Sequence, residues 1–467
     1  MALASKRFGH GQVPEATMLL PLMGDPSSPQ PLPGSWPMPV PSPMKGARLW
    51  PAILMTFLTG MGFTSLKFIL ITEIIRAFDV TTHQPLPFEH LEQILQKCIE
   101  NGTLEEAVGQ GMATMLTFGV LIGFAVNSPL AGAWKVAPLF ALSCGLVALG
   151  ILGSTWLNPW PIAFIIGLAY GTACAARGKV IPLLAFATGR HNTQVSGYIN
   201  AALVVGLLSG TMFGNVLGDV FVNNTFKLEW VRDWMAHVLL AGFMAVATFL
   251  SILVRVEDPH PTPFAQGMRE LISGTITMCR SHWALLASGG LIWGIASAAS
   301  LAVFLYGVEE LGLPQSKAAT VGLFVAIGAI LGNLASDWLD RRRYVMLCLI
   351  LLAVGIFAFP FVVQRFRDFG GGYPAAAAMM VIVSFLFAVP ANVLDARLLY
   401  LTAKEGHAGR GSTVMSMIHN CFILITGFAL SVPLFLSLIS AQQQFTIMAV
   451  VSLITAAVAA FAQIRRQ

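Results

Sequence analysis

The residues that could do chemistry in this chain are few and sit in greasy surroundings. Lys67, Arg177, Lys179, Asp395, Arg397 and His419 all stand within or at the ends of long apolar runs. An ionisable group in such a run is costly to bury and ordinarily faces a polar cavity or a partner. Two readings of Lys67 are open: a cavity cation that attracts a phosphate or carboxylate, or a lysine snorkelling to the outer interface. Glu73 follows it one to two turns further along the same run. Arg177 and Lys179 fit either contact with an anionic substrate or headgroup, or anchoring at the interface. His419 could titrate near neutral pH or serve as a hydrogen-bonded packing histidine. Asp395 and Arg397 are close enough in sequence to pair locally.

Other chemistries leave no trace. There is no HExxH, GxSxG or other spaced catalytic set, so no enzyme is expected. No GxxxxGKS/T loop occurs, so energy for any transport would come from a gradient or from downhill flow. The six cysteines, Cys98, Cys144, Cys174, Cys279, Cys348 and Cys421, form no CxxC pair. They read as small hydrophobes, with no disulfide framework, metal site or cofactor expected.

The elements that position these residues follow from composition. Hydrophobic residues make up 56% of the 467 and charged residues only 10%. A soluble domain carries about 25% charged residues, so this surface must face lipid. Apolar stretches long enough to span recur at roughly 51–76, 111–133, 137–156, 159–185, 194–218, 235–254, 284–309, 315–335, 344–364, 373–399, 411–438 and 442–464. The expected fold is all-α and integral to the membrane, with about twelve transmembrane helices in two six-helix lobes.

Nineteen of the 27 Lys and Arg residues fall on the side that carries both ends of the chain, and seven on the other. The positive-inside rule then puts both termini in the cytoplasm of a cell inner (plasma) membrane. The net charge of +5 is scattered at the ends of apolar runs, which argues against nucleic acid as a partner. Residues 1–49 hold ten prolines and read as a disordered cytoplasmic arm without a cleavable signal. The first lobe covers 50–254 and includes an outer-side helical insert at 78–110. Residues 255–283 read as a cytoplasmic amphipathic linker, with Phe264, Met268, Leu271, Ile272, Thr275 and Cys279 as its apolar stripe. The second lobe covers 284–467. Membrane lipids and a small-molecule or lipid substrate are the expected partners. The arm and the insert are candidate docking points for a protein partner.

Gly206, Gly210, Gly214 and Gly218 recur every fourth residue in the fifth span, and Gly322, Gly328 and Gly332 lie in the eighth. Such stripes let another backbone approach closely. In a two-lobed transporter the two spans would face each other and slide, or pack statically.

The turn after the eighth span reads Gly328-Ala-Ile-Leu-Gly332-Asn-Leu-Ala-Ser-Asp337-Trp-Leu-Asp340-Arg341-Arg342-Arg343. It resembles the acidic and basic loop of the major facilitator superfamily. That resemblance implies a cytoplasmic latch made by Asp337, Arg341, Arg342 and Arg343. The equivalent turn of the first half, Asn127-Ser-Pro-Leu-Ala-Gly132-Ala-Trp-Lys135, lacks the acid and most of the basic cluster. Arg177-Gly-Lys179-Val-Ile-Pro, Ser196-Gly-Tyr-Ile-Asn200, Leu291-Ile-Trp293-Gly294 and Phe387-Ala-Val-Pro390-Ala-Asn392 are similar to stretches of bacterial lysophospholipid transporters. The substrate-cavity candidates are Lys67 and Arg177, by their charge in apolar runs, with Lys179, Asn200, His419 and Asn420, whose positions the likeness matches. A family glutamate falls at Asn200, and a family Gln-Asn pair falls at His419-Asn420. Acids that the family carries in spans one, five and eleven are missing here, which argues against strong proton coupling.

The leading expectation is a secondary transporter working by alternating access, with lysophospholipid-like amphiphiles as cargo. An exporter of a small anion, drug or metabolite on the same fold is one alternative. A non-transporting membrane scaffold is the other.

Overall fold

The computed structural model describes residues 47–80, 118–123, 129–130, 133–154, 159–217, 220–221, 234–254, 256, 263–312, 315–405, 407–435 and 441–464. Residues 1–46 of the arm, most of the insert at 78–110 and Gly218 lie outside them. The helices are α1 (Trp50–Val80), α2 (Val136–Ser154), α3 (Pro159–Thr188), α4 (Asn192–Leu217), α5 (Trp234–Ile252) and α6 (Phe264–Arg269). They continue as α7 (Leu271–Glu309), α8 (Gln315–Ala335), α9 (Arg342–Arg367), α10 (Gly372–Lys404), α11 (Ala408–Phe435) and α12 (Ala441–Ile464). The second expected span is described at 118–123, 129–130 and 133, where Gly119 and Gly123 lie against the backbone of α3. α1 extends past the expected end at 76 to Val80.

Among the described residues, 7 helices are long and apolar enough to cross a bilayer. Their outward faces are apolar, as on α5 (Val238, Val246, Phe249, Ile252) and α9 (Leu347, Ile350, Val354, Phe357). A water-facing helix would put polar residues there; a lipid-facing one has no need to.

Two halves are evident from the packing. In the first, α1 packs on α4 and α5, and α2 on α3 and α5. In the second, α8 and α9 pack on α10, α7 on α11, and α12 on α7 and α9. The halves meet where α4 lies against α8 and α10, and α3 against α10 and α11. Gly189 (φ 64) ends α3 in the left-handed conformation and turns the chain directly into α4. That tight turn fixes Arg177 and residues 192–200 in one half, on the side that faces the other.

The linker is more helical than a simple connection requires. α6 is followed at once by α7, which kinks at His282, where the backbone is not helical (φ −120, ψ 18). The kink falls where the linker was expected to give way to the seventh span. Phe264, Met268 and Ile272 point away from the other helices, while Gly267, Met278 and His282 are buried against them. Two contacts moor this segment: Arg410 Nη2 donates to Glu270 Oε2 at 3.0 Å, and His282 Nε2 meets Glu405 Oε2 at 3.1 Å. Hydrogen bonds from Gln266 and Arg410 hold the Glu270 carboxyl below the usual carboxylate range.

Candidate functional site

Polar side chains collect where the halves meet. Asn392, buried on α10, is the hub. Its Oδ1 accepts from Ser196 Oγ at 2.6 Å and from Asn200 Nδ2 at 2.8 Å, both on α4. Its Nδ2 donates to the Thr193 carbonyl at 3.2 Å and to Ser336 Oγ at the foot of α8. Asn192 Nδ2 donates to the Ala396 carbonyl, again across the halves. Gly197 makes this approach possible, because a Cβ there would collide with the Asn333 carbonyl. Asn200, expected in the substrate cavity, is thus a member of an inter-half lock.

The acid at the edge of this lock is Asp340. Its Oδ2 accepts from Thr193 Oγ1 at 2.9 Å across the halves. Burial pushes its carboxyl up to about 6, against the lowering pull of the Thr193 hydrogen bond and the charge of Arg397. The sequence singled out Asp337 for this role, three residues earlier. Arg341 and Arg343 are exposed and Arg342 is half-buried. Arg343 turns onto its neighbour Tyr344, with its guanidinium carbon 4.7 Å from the ring centre. The arginine run therefore lies on the surface beside the lock, and the inter-half contact passes through Asp340.

Beside the lock lies a cluster of ionisable groups drawn from three helices, with an indole from a fourth. Asp395, buried on α10, accepts from Trp293 Nε1 of α7 at 3.2 Å. Its other oxygen lies 3.5 Å from His419 Nε2 of α11, within ion-pair reach but without the alignment of a hydrogen bond. Gly289 of α7 backs the pair, since a Cβ there would come within 2.6 Å of His419 Nε2. Phe387 meets the Trp293 ring edge-on, with centroids 5.6 Å apart. Arg177, from α3 in the first half, exerts its charge on both Asp395 and His419. Its Nε and Nη1 are buried and make no hydrogen bond. The local pairing expected of Asp395 and Arg397 is not found: Asp395 takes His419 and Trp293, and Arg397 acts on Asp340.

Two other cavity candidates go elsewhere. Lys179 is fully buried, and its Nζ donates to the Trp134 carbonyl at 3.1 Å, tying α3 to the turn before α2. Asn420 donates to the Ser416 carbonyl of its own helix at 2.8 Å. Lys67 lies on α1, and its side chain is outside the described set.

The glycine stripes also find partners other than those expected. Gly206 and Gly210 sit against the Phe57 and Met61 carbonyls of α1, and Ser65 Oγ donates to the Gly210 carbonyl at 3.0 Å. Gly328 and Gly332 sit against the Val381 and Phe385 carbonyls of α10. Each stripe closes a seam inside its own half. Gly214 is buried on α4.

Two packed helical halves, apolar rims and a polar seam between them define a multi-pass membrane transporter. The chain belongs to the Major Facilitator Superfamily, whose family model matches residues 52–426. It is 23% identical over 300 residues to the lysophospholipid transporter LplT of Yersinia pestis (strain Pestoides F), covering 61% of this chain and 68% of that one. LplT of Yersinia pseudotuberculosis serotype O:3 (strain YPIII) matches to the same extent. Among solved structures, the human organic anion transporter MFSD10 superposes with a TM-score of 0.62 at 13% identity, over 88% of this chain and 98% of that one. The E. coli fucose:proton symporter FucP also gives 0.62 at 13% identity, over 90% and 99%. The proton:xylose symporter XylE gives 0.61 at 13%, over 88% and 94%. These structural likenesses establish the fold.

Proposed function

We propose that the protein is a secondary transporter that carries an anionic, lysophospholipid-like amphiphile across the cell inner (plasma) membrane by alternating access. The observation that carries this reading is Arg177. A guanidinium whose Nε and Nη1 are buried without a hydrogen bond, at the seam between two halves, is an incomplete site. A phosphate or carboxylate supplies the acceptors that it lacks, and a bidentate pair orients the ligand. The likeness to lysophospholipid transporters favours a phosphate attached to a single acyl chain. In this reading the lock around Asn392 and Asp340 closes the cytoplasmic face, where both termini and Arg341–Arg343 lie. Substrate then enters from the opposite face.

The test is flux of lysophosphatidylglycerol in proteoliposomes. Arg177→Gln is expected to lower it at least about tenfold at matched protein amount, the scale of one charge-assisted contact. Unchanged flux in that variant sinks the role given to Arg177. Transport of small organic anions with no flux of any lysophospholipid would favour the small-anion alternative.

A further inference from the structure

We propose that the helical linker over 264–283 is an in-plane docking surface for the anionic lipid of the cytoplasmic leaflet. That leaflet follows from the orientation proposed above, and the cargo plays no part in it.

Length puts the linker at the membrane surface. α7 has 39 residues, which at about 1.5 Å each reach about 58 Å, against a hydrocarbon core of about 30 Å. The stretch after the kink at His282 is long enough to span by itself, so the stretch before it lies beyond the core. Around α6 and the start of α7, at about 3.6 residues per turn, the side chains fall into three stripes. Gly267, Gly274 and Met278 face the protein. A Cβ on Gly267 would come within 3.2 Å of the Pro129 backbone in the first half, and one on Gly274 would meet the Arg410 guanidinium in the second. Gln266, Ser273 and Thr277 are exposed and polar. Phe264, Met268, Ile272 and Ile276 are exposed and apolar, with Ile272 75% exposed. A helix that met only water beyond the protein would have no reason to carry that third stripe. One face on protein, one polar and one apolar suit the boundary between lipid and water.

Two observations name lipid as the occupant of the apolar stripe. The first is continuity with a surface that already faces lipid. Trp283, exposed just past the kink, has its ring centre 5.7 Å from that of Phe461 on α12. Phe461 shares its face of α12 with the exposed Ile447, Val450 and Ile454. The second is charge. Arg269 and Arg280 are exposed at the border between the apolar and polar stripes, and among the described residues neither meets a carboxylate. Arginines at that border lay their stems along the acyl chains and hold their guanidinium groups among the headgroups. Glu270, the one acid between 264 and 283, is taken up by Arg410. The bonds from Glu270 to Arg410 and from His282 to Glu405 fix the segment to the turn between α10 and α11, and Gly267 rests on the first half. The docked surface therefore bears on both halves at once.

The experiment uses the full chain in nanodiscs. With the six native cysteines replaced, a nitroxide is attached through Ile272→Cys or Thr277→Cys. The label at 272 is expected to collide with oxygen and the label at 277 with a water-soluble nickel chelate, their oxygen-to-nickel ratios differing at least about tenfold. A second measurement keeps the native cysteines and reads the melting temperature in detergent as phosphatidylglycerol or phosphatidylcholine is added. At about fivefold per arginine, wild type is expected to be stabilised by phosphatidylglycerol at a concentration at least about tenfold lower, and Arg269→Gln with Arg280→Gln to bring the two lipids within about twofold. A uniform loss of stability does not change that ratio. A label at 272 as open to the nickel chelate as the label at 277, or shielded from both probes as under a protein partner, would overturn docking to lipid. A preference for phosphatidylglycerol that outlives the double substitution would overturn the role of the arginines. Neither measurement involves transport, so failure here and failure of the cargo reading are told apart.

Discussion

Contacts inside each half and contacts between the halves are made from different chemistry. Inside, backbone meets backbone. Gly206 and Gly210 admit the carbonyls of α1, and Gly328 and Gly332 admit those of α10. Between the halves, short polar side chains meet one another, with Asn392 holding Ser196, Asn200, Ser336 and the Thr193 carbonyl. A glycine seam is continuous van der Waals contact and fails only if the helices part along their length. A hydrogen-bonded lock can exchange its partners for water at modest net cost. The first suits a body that moves as a unit; the second suits a surface that opens.

Breaking the seams should have the largest effect. At Gly206 or Gly328, even a single methyl would meet a carbonyl oxygen on the neighbouring helix. Gly206→Ala and Gly328→Ala are each expected to cost about 2–3 kcal/mol, the scale of overpacking, beyond any gain in helix propensity. A drop in the melting temperature of the detergent-solubilised protein checks this.

Breaking the lock should matter less to stability and more to state. Asn392→Ala removes the hub's four acceptor or donor contacts and is expected to favour the opened face by about 1–3 kcal/mol. The melting temperature should move little. Accessibility of a cysteine placed at Ser196 to a water-soluble thiol reagent should rise.

The smallest effect is expected from pH. The Asp340 carboxyl is raised to about 6 in the closed form, mainly by burial. A raised acid favours its protonated state, so closure is strengthened as pH falls through about 6 and weakened above it. Asp340→Asn should keep the bond to Thr193 and abolish the pH response between about 4 and 6, as read by the same thiol accessibility.

Much of the architecture was legible in the sequence, because hydropathy over twenty residues is a local property. The succession of apolar helices and the four-residue glycine spacing both follow from neighbours along the chain. What could not be read is which surfaces meet. The stripe at Gly206–Gly214 says that a helix comes close, and nothing in its spacing says that the helix is α1 and not α8. Asp337 and Asp340 lie about one helical turn apart, and only the position of Thr193 on α4 selects Asp340. Lys179 reads as a cavity cation by its charge within an apolar run, and nothing in that run shows that its Nζ donates to the Trp134 carbonyl on a distant turn. The grouping of Arg177 with Asp395 and His419 joins three helices from both halves. The one advance sign was that each is an ionisable residue inside a span, where a lone charge is unfavourable.

Alternating access requires that the halves part at the lock while each seam stays closed. Spin labels at Arg190 and Arg341, both exposed and in opposite halves on the lock's face, report the first motion. Labels at Trp50 and Arg190, both exposed in the first half, report the second. Electron–electron distance measurement should give two populations for the pair across the halves, with the longer one enriched by Asn392→Ala, and one unchanged distance for the pair within the half. A single distance across the halves that Asn392→Ala leaves untouched, or a pair within the half that moves as far, would contradict it.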